Sequence, residues 1–157
     1  MKILERDLET MIFNAIIDGK IEDLCKRGFP VWRGKKPLSA RRQFPVIVNG
    51  VADIVTMHKL EGEKPMVTLY ELKTTKIDHN TLFQAFRYLK GMQFVIEERG
   101  YDFEKYDFRI VLIGPEILWG DWIFLIQEDR LPVDIFTYRM DITGVYFEDP
   151  QIWLYGT

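Results

Sequence analysis

Apolar residues recur at helical spacing near the start of the chain: Leu4, Leu8, Met11, Ile12, Ala15 and Ile16. The spacing predicts a helix over about Lys2 to Ile17, stopped by Asp18-Gly19. A short helical turn follows within residues 20–30. Two segments over about 44–57 and 66–74, rich in Val, Ile and other apolar residues and separated by a polar turn, predict two strands. Asp78-His79-Asn80-Thr81 supplies a helix N-cap. A long helix follows to about Glu98, with Leu82, Phe83, Phe86, Leu89, Phe94 and Val95 among its apolar positions. Later segments read as strands: Phe108–Ile113, Trp122–Gln127, Val133–Arg139, and Val145–Phe147 with Ile152–Tyr155. The order predicts one α/β domain over 1–157 with a mixed central β-sheet flanked by helices. Residues 1–99 hold its motifs, and 100–157 form a β-rich part of the same domain.

Two polar interruptions change this picture. The first lies between the two early strands. Glu61-Gly62-Glu63-Lys64-Pro65 is a turn, and Gly62 is the midpoint of positions 53 and 71. A hairpin about Gly62 sets Asp53 directly opposite Glu71, with Cβ atoms about 5 Å apart. Lys73, two residues on, shares their face, while Leu72 points into the core. Two adjacent carboxylates repel unless a cation lies between them. Mg²⁺ suits that place, because it takes oxygen ligands and keeps room for water and phosphate.

The second interruption is on the first helix. On a helical wheel Glu5 falls within the apolar stripe, between Leu8 and Ile16. Glu9 falls further toward the rim. An acid inside an apolar stripe is costly unless it is paired or metal-bound. Gln84 and Tyr88 on the long helix are four apart and share a face.

Composition and charge narrow the function classes. The chain has 157 residues, 47% hydrophobic and 14% aromatic, and one cysteine, Cys25. A single cysteine excludes an internal disulfide, a cysteine-ligated cluster and a Cys-rich zinc site. His58 and His79 are isolated and lack metal-ligand spacing. No apolar run approaches the roughly 20 residues of a membrane span. The N-terminal residues do not read as a secretory signal. The expected setting is the cytoplasm. The net charge of −3 is unevenly spread. Residues 1–90 hold 16 Lys/Arg and 11 Asp/Glu, a balance of +5; residues 91–157 hold 5 and 13, a balance of −8. The densest basic stretch contains Arg33, Lys35, Lys36, Arg41 and Arg42. It reads as a loop or edge, either solvated or phosphate-binding. The acidic, aromatic final third offers a surface for a homodimer.

Glu5-Arg6-Asp7-Leu8, Gly50-x-x-Asp53, Glu71-Leu72-Lys73 and Gln84-x-x-x-Tyr88 together resemble the PD-(D/E)xK nuclease superfamily. The resemblance covers about residues 2–95. It is nearest to branches with a Gln-x-x-x-Tyr motif, the RecB-type and NucS-like endonucleases, and Arg41-Arg42-Gln43 adds a looser likeness. Val51-Ala52 stand where the superfamily name has a proline, and the four cluster-binding cysteines of some RecB-type members are absent. The resemblance implies a restriction-endonuclease-like core and a Mg²⁺- or Mn²⁺-dependent deoxyribonuclease, an endonuclease in repair, recombination or mobile-element defence. It implies that Asp53, Glu71, the Leu72 carbonyl and Glu5 hold the metal. Lys73 would act on the attacking water, and Gln84 and Tyr88 would contact DNA or brace the site. Arg33, Lys35, Lys36, Arg41, Arg42 and Lys76 would meet phosphates. The alternative is a non-catalytic subunit that binds nucleic acid or a protein partner.

Overall fold

The computed structural model describes residues 3–47, 50–128 and 131–150. The elements are α1 (Glu5–Ile17), α2 (Ile21–Lys26), β1 (Ser39–Ile47), β2 (Gly50–His58), β3 (Met66–Leu72), α3 (His79–Glu98), β4 (Asp107–Gly114), α4 (Trp122–Glu128), β5 (Val133–Asp141) and β6 (Gly144–Glu148). The strands form a six-stranded sheet in the order β1-β2-β3-β4-β5-β6. β2 runs antiparallel to both of its neighbours, β1 and β3; β3, β4 and β5 are parallel, and β6 returns antiparallel to β5. The fold is therefore α/β with a mixed central sheet flanked by helices.

Period-2 alternation on the central strands sorts side chains into two cores. On β3 and β4, Val67, Leu69, Ile110 and Leu112 pack with α3 and α4. Tyr70, Leu72, Val111 and Ile113 pack with α1 and α2. β4 is flanked by parallel partners and is apolar on both faces, as a strand covered on both sides must be. Among the described residues no helix is long and apolar enough to cross a membrane.

Two sequence expectations need correction, and one is refined. The stretch 44–57 is not one strand. It contains the end of β1 and all of β2 but its last residue, which pair antiparallel as Phe44↔Ala52 and Ile47↔Gly50. Both halves are apolar, so composition alone did not show the break. The basic stretch, expected as loop or edge, is both: Ser39 to Arg42 belong to β1 at the sheet edge. Trp122–Gln127 is helical, not extended. A continuous apolar run fits either form, and here parallel pairing of β4 with β5 requires a crossover. α4 is that crossover, with Ile123 and Ile126 buried three residues apart. Ile152–Tyr155 lies outside the described residues.

Candidate active site

The β2–β3 register runs from His58↔Met66 to Ile54↔Tyr70. The next positions outward are Asp53 and Glu71, as expected for a hairpin about Gly62. Gly62 has φ +75°, which a side chain would strain. The backbone N–H of Leu72 donates to Asp53 Oδ2 at 2.7 Å. This bond fixes the carboxylate against β3. Lys73 Nζ lies 3.0 Å from Glu71 Oε1, and the Lys73 N–H donates to the Ile113 carbonyl at 2.8 Å. The pairing of β3 with β4 thus holds the lysine backbone in place.

Burial dominates the electrostatics. Glu71 is 4% exposed and Asp53 is 9% exposed. Desolvation pushes the Asp53 carboxyl up to about 6. Glu5 and Glu9 push it the same way, while the Leu72 N–H and Lys73 oppose them. Glu71 is pushed up to about 8, by burial first and then by the charge of Asp53, with Lys73 opposing. Glu71 Oε2 is buried without a hydrogen-bond partner. Acids that hinder one another's ionisation form a place where a cation would be strongly favoured.

On the first helix the buried acid is not the one the wheel favours. Glu9 is buried, whereas Glu5 is exposed. Glu5 opens α1, so no preceding turn covers it. Glu9 sits one turn in, beneath β1. Glu9 Oε1 accepts from Gln43 Nε2 at 2.7 Å, and Glu9 Oε2 lies 3.3 Å from Arg42 Nη2. Both acids still line one open cleft of about 650 Å³, with Arg6, Arg42, Gln43 and Asp53.

Gln43 escaped sequence reasoning as a site residue. By register it faces Asp53, between the pairs Arg42↔Ile54 and Phe44↔Ala52. Its Nε2 reaches Asp53 Oδ1 at 3.5 Å as well as Glu9. Its φ is +50°, costing about 1 kcal/mol or more for a non-glycine residue. The strands change allegiance at this point. Ala40 and Ile54 pack with the α1 core, whereas Phe44 and Ala52 pack with the α3 core. The twist sets Asp53 between the two layers, within reach of both α1 and β3. No periodicity in the sequence marks it.

On α3, Asp78 and Thr81 form the expected cap. Thr81 N–H donates to Asp78 Oδ1 at 3.1 Å, and Asp78 N–H donates to Thr81 Oγ1 at 3.3 Å. That start orients the helix so that Tyr88 is buried over the site. Gln84 Nε2 donates to Tyr88 Oη at 2.6 Å. Burial, followed by the charge of Glu71, pushes the Tyr88 hydroxyl up to about 12.

The basic residues do not assemble as one track. Arg33 pairs with Glu63 at 2.9 Å, and the Lys35 carbonyl meets His58 Nε2 at 2.8 Å. Arg33, Lys35 and Lys36 therefore lie toward the His58 end of β2. His58 is five residues from Asp53, about 17 Å along a strand. Arg42 is held against α1 by Glu9 and by Thr10 Oγ1 at 2.9 Å. Lys76 lies 3.5 Å from Glu116, and both are exposed. Arg41 is exposed on the edge strand.

Among the described residues, no group of three or more His, Cys, Asp or Glu side chains is arranged to hold a metal ion. The central pair supplies two carboxylates. That fits an ion which uses one or two protein carboxylates and keeps several waters, and the unpartnered Glu71 Oε2 is an oxygen available to it.

Two solved structures are similar in shape to this chain. One is a repair endonuclease from Pyrococcus abyssi, 22% identical over 78% of this chain and 45% of that one, with a TM-score of 0.46. The other is a chain of the EndoMS-dsDNA2 complex, 21% identical over 63% of this chain and 35% of that one, with a TM-score of 0.41. This chain thus spans less than half the length of either. No family model matches it, and no curated protein matches it.

Proposed function

We propose that this chain is a metal-dependent deoxyribonuclease of endonuclease type, with Asp53, Glu71 and Lys73 at its centre. The observation that carries the reading is the Asp53–Glu71 pair. Its two buried carboxylates face each other across a hairpin, one has an unpartnered oxygen, and a lysine is tethered beside them. A purely structural ion pair would need one acid for Lys73; here two acids share that one base, and burial together with the charge of Asp53 disfavours the ionisation of Glu71.

Asp53, Glu71 and the Leu72 carbonyl would hold Mg²⁺ or Mn²⁺, with Glu5 or Glu9 approaching through water from the cleft. When bound, such an ion polarises the scissile phosphate and lowers the pKa of a bound water. The Leu72 N–H keeps the Asp53 carboxylate oriented toward Glu71. Lys73 orients the attacking water and offsets charge gathering on the phosphate oxygens. Tyr88 remains protonated at neutral pH because its hydroxyl is pushed up to about 12. It accepts from Gln84, so its own proton is free to be donated to a phosphate oxygen.

The test uses labelled single- and double-stranded DNA with Mn²⁺, with Mg²⁺ and with a chelator. Cleavage is expected only with a divalent ion, and it should vanish in Asp53→Ala and Lys73→Ala. Cleavage that survives chelation, or variants that cut as well as the wild type, would remove this reading.

A further inference from the structure

A second concavity adjoins the acids on the α3 side of the sheet. It is a groove of about 320 Å³ between the β1 edge and the later turns of α3. This lies at the small end of ligand cavities, which run about 300–1,000 Å³. Met92 and Val55 contribute to its floor, and Val55 is two residues from Asp53 on β2. Aromatic rings of Phe44, Tyr101 and Tyr106 line it, and Tyr101 is 60% exposed. The cations are Arg41 and Arg99, and no lining residue is acidic. Neither arginine takes part in a salt bridge among the described residues. The Arg99 guanidinium lies over the Phe44 ring, 5.9 Å from its centroid. That contact steadies it at the groove without neutralising its charge.

Two uncompensated cations in a chain of net charge −3 select an anion. An apolar, aromatic-lined floor selects a flat ring. One chemical unit offers both, a nucleotide, with a phosphate for the arginines and a base for the rings. A paired base inside a duplex cannot present its face to such a groove. We propose that the groove between β1 and α3 binds one unpaired nucleotide of a DNA strand, with its phosphate between Arg41 and Arg99. The proposal rests on the nuclease reading for its choice of DNA and extends it with a subsite beside the cut. An acidic peptide would use the arginines but would gain little from the rings.

Equilibrium binding in Ca²⁺, chosen to withhold cleavage, tests it with three fluorescent probes: an oligothymidine strand, a blunt duplex and a poly-glutamate peptide. Arg41→Ala and Arg99→Ala should each weaken strand binding about three- to tenfold and reduce its salt slope by about 1. Tyr101→Ala should weaken strand binding by a similar factor and leave duplex binding unchanged. Lys90→Ala, on the exposed side of α3, is the control and should bind as the wild type does. Arg99→Lys, which keeps the charge, guards against misfolding and should retain most of the affinity. Equal losses for strand and duplex, a loss in Lys90→Ala matching Arg41→Ala, or tighter binding of poly-glutamate would each overturn the proposal. Asp53→Ala separates the two readings. If it and the wild type bind the strand through the arginines but neither cuts, the subsite stands and the nuclease does not. If the wild type cuts while the arginine and Tyr101 variants bind normally, the subsite alone falls.

Discussion

The β2–β3 hairpin carries buried polar groups at both ends, and the two ends are chemically opposite. At one end lie Asp53 and Glu71, bordering an open cleft, with an unpartnered carboxylate oxygen. Toward the other lie Thr68 and His58, both enclosed, with Thr68 Oγ1 and His58 Nδ1 also unpartnered. His58 Nε2 must donate to the Lys35 carbonyl, which leaves Nδ1 as a bare acceptor on a neutral ring. An orphan acceptor in a closed, neutral setting is ordinarily met by an ordered water. An orphan carboxylate oxygen beside a second carboxylate calls for positive charge. Burial alone therefore does not mark a reactive site; uncompensated charge with access to solvent does.

The largest expected effect separates the ends by activity. Asp53→Asn or Lys73→Ala should lower DNA cleavage by about 10²–10³-fold or more. Thr68→Val should leave it within about twofold in the same labelled-DNA assay. A collapse of activity in Thr68→Val would erase the distinction.

Metal addition comes next. Saturating Mn²⁺ should stabilise the wild type by about 2–3 kcal/mol, the linkage expected near 100 times the dissociation constant. The shift in melting temperature should be absent in Asp53→Asn and fully retained in His58→Gln. It should also be larger at pH 8 than at pH 5.5, because binding displaces protons from raised carboxyls. A shift that is independent of pH would count against Asp53 and Glu71 as ligands.

Without metal, the two ends should give pH slopes of opposite sign. Asp53 and Glu71 rise from 3.8 and 4.5 to about 6 and about 8. The folded state then keeps protons that the unfolded chain has released, so stability falls as pH rises from about 4 to about 8. Glu71→Gln should stabilise by about 1–2 kcal/mol at pH 8, with no gain below about pH 4.5. His58 is lowered from 6.5, by burial first. There the unfolded chain takes up the proton first, so stability falls as pH drops below 6.5. His58→Gln should remove that slope. Urea midpoints from pH 4 to 9 measure both, and a single monotonic trend in every variant would refute the opposition.

The smallest effect lies at the rim of the acid end. Arg42→Ala strips a buried carboxylate, Glu9, of its cation and should cost about 1–2 kcal/mol. Arg41→Ala, one residue away and exposed, should stay within about 0.5 kcal/mol. Urea unfolding compares them directly.

Much of the acid end was legible because hairpin pairing is local and symmetric. Gly62 and the period of two together put Asp53 across from Glu71, and Asp78 with Thr81 marked where α3 begins. The polar middle of β2 and β3 carried no such mark, since Thr56, Thr68 and His58 read as ordinary strand residues. The apolar run at 122–126 was misread because a buried strand and a crossover helix share that composition. What decided it was the parallel pairing of β4 with β5, a contact between distant segments.

By itself the sequence determined the α/β class with a mixed sheet and which carboxylates and lysine would meet on one strand face, because both follow from spacing along the chain. Only the tertiary structure decided that Glu9 rather than Glu5 is buried, that Gln43 bridges it to Asp53, and that Arg42 is pinned while Arg41 faces a groove. Those outcomes depend on how α1 docks against β1 and where the β1–β2 hairpin twists over. Side chains from segments more than 30 residues apart set that docking, and no local period records it.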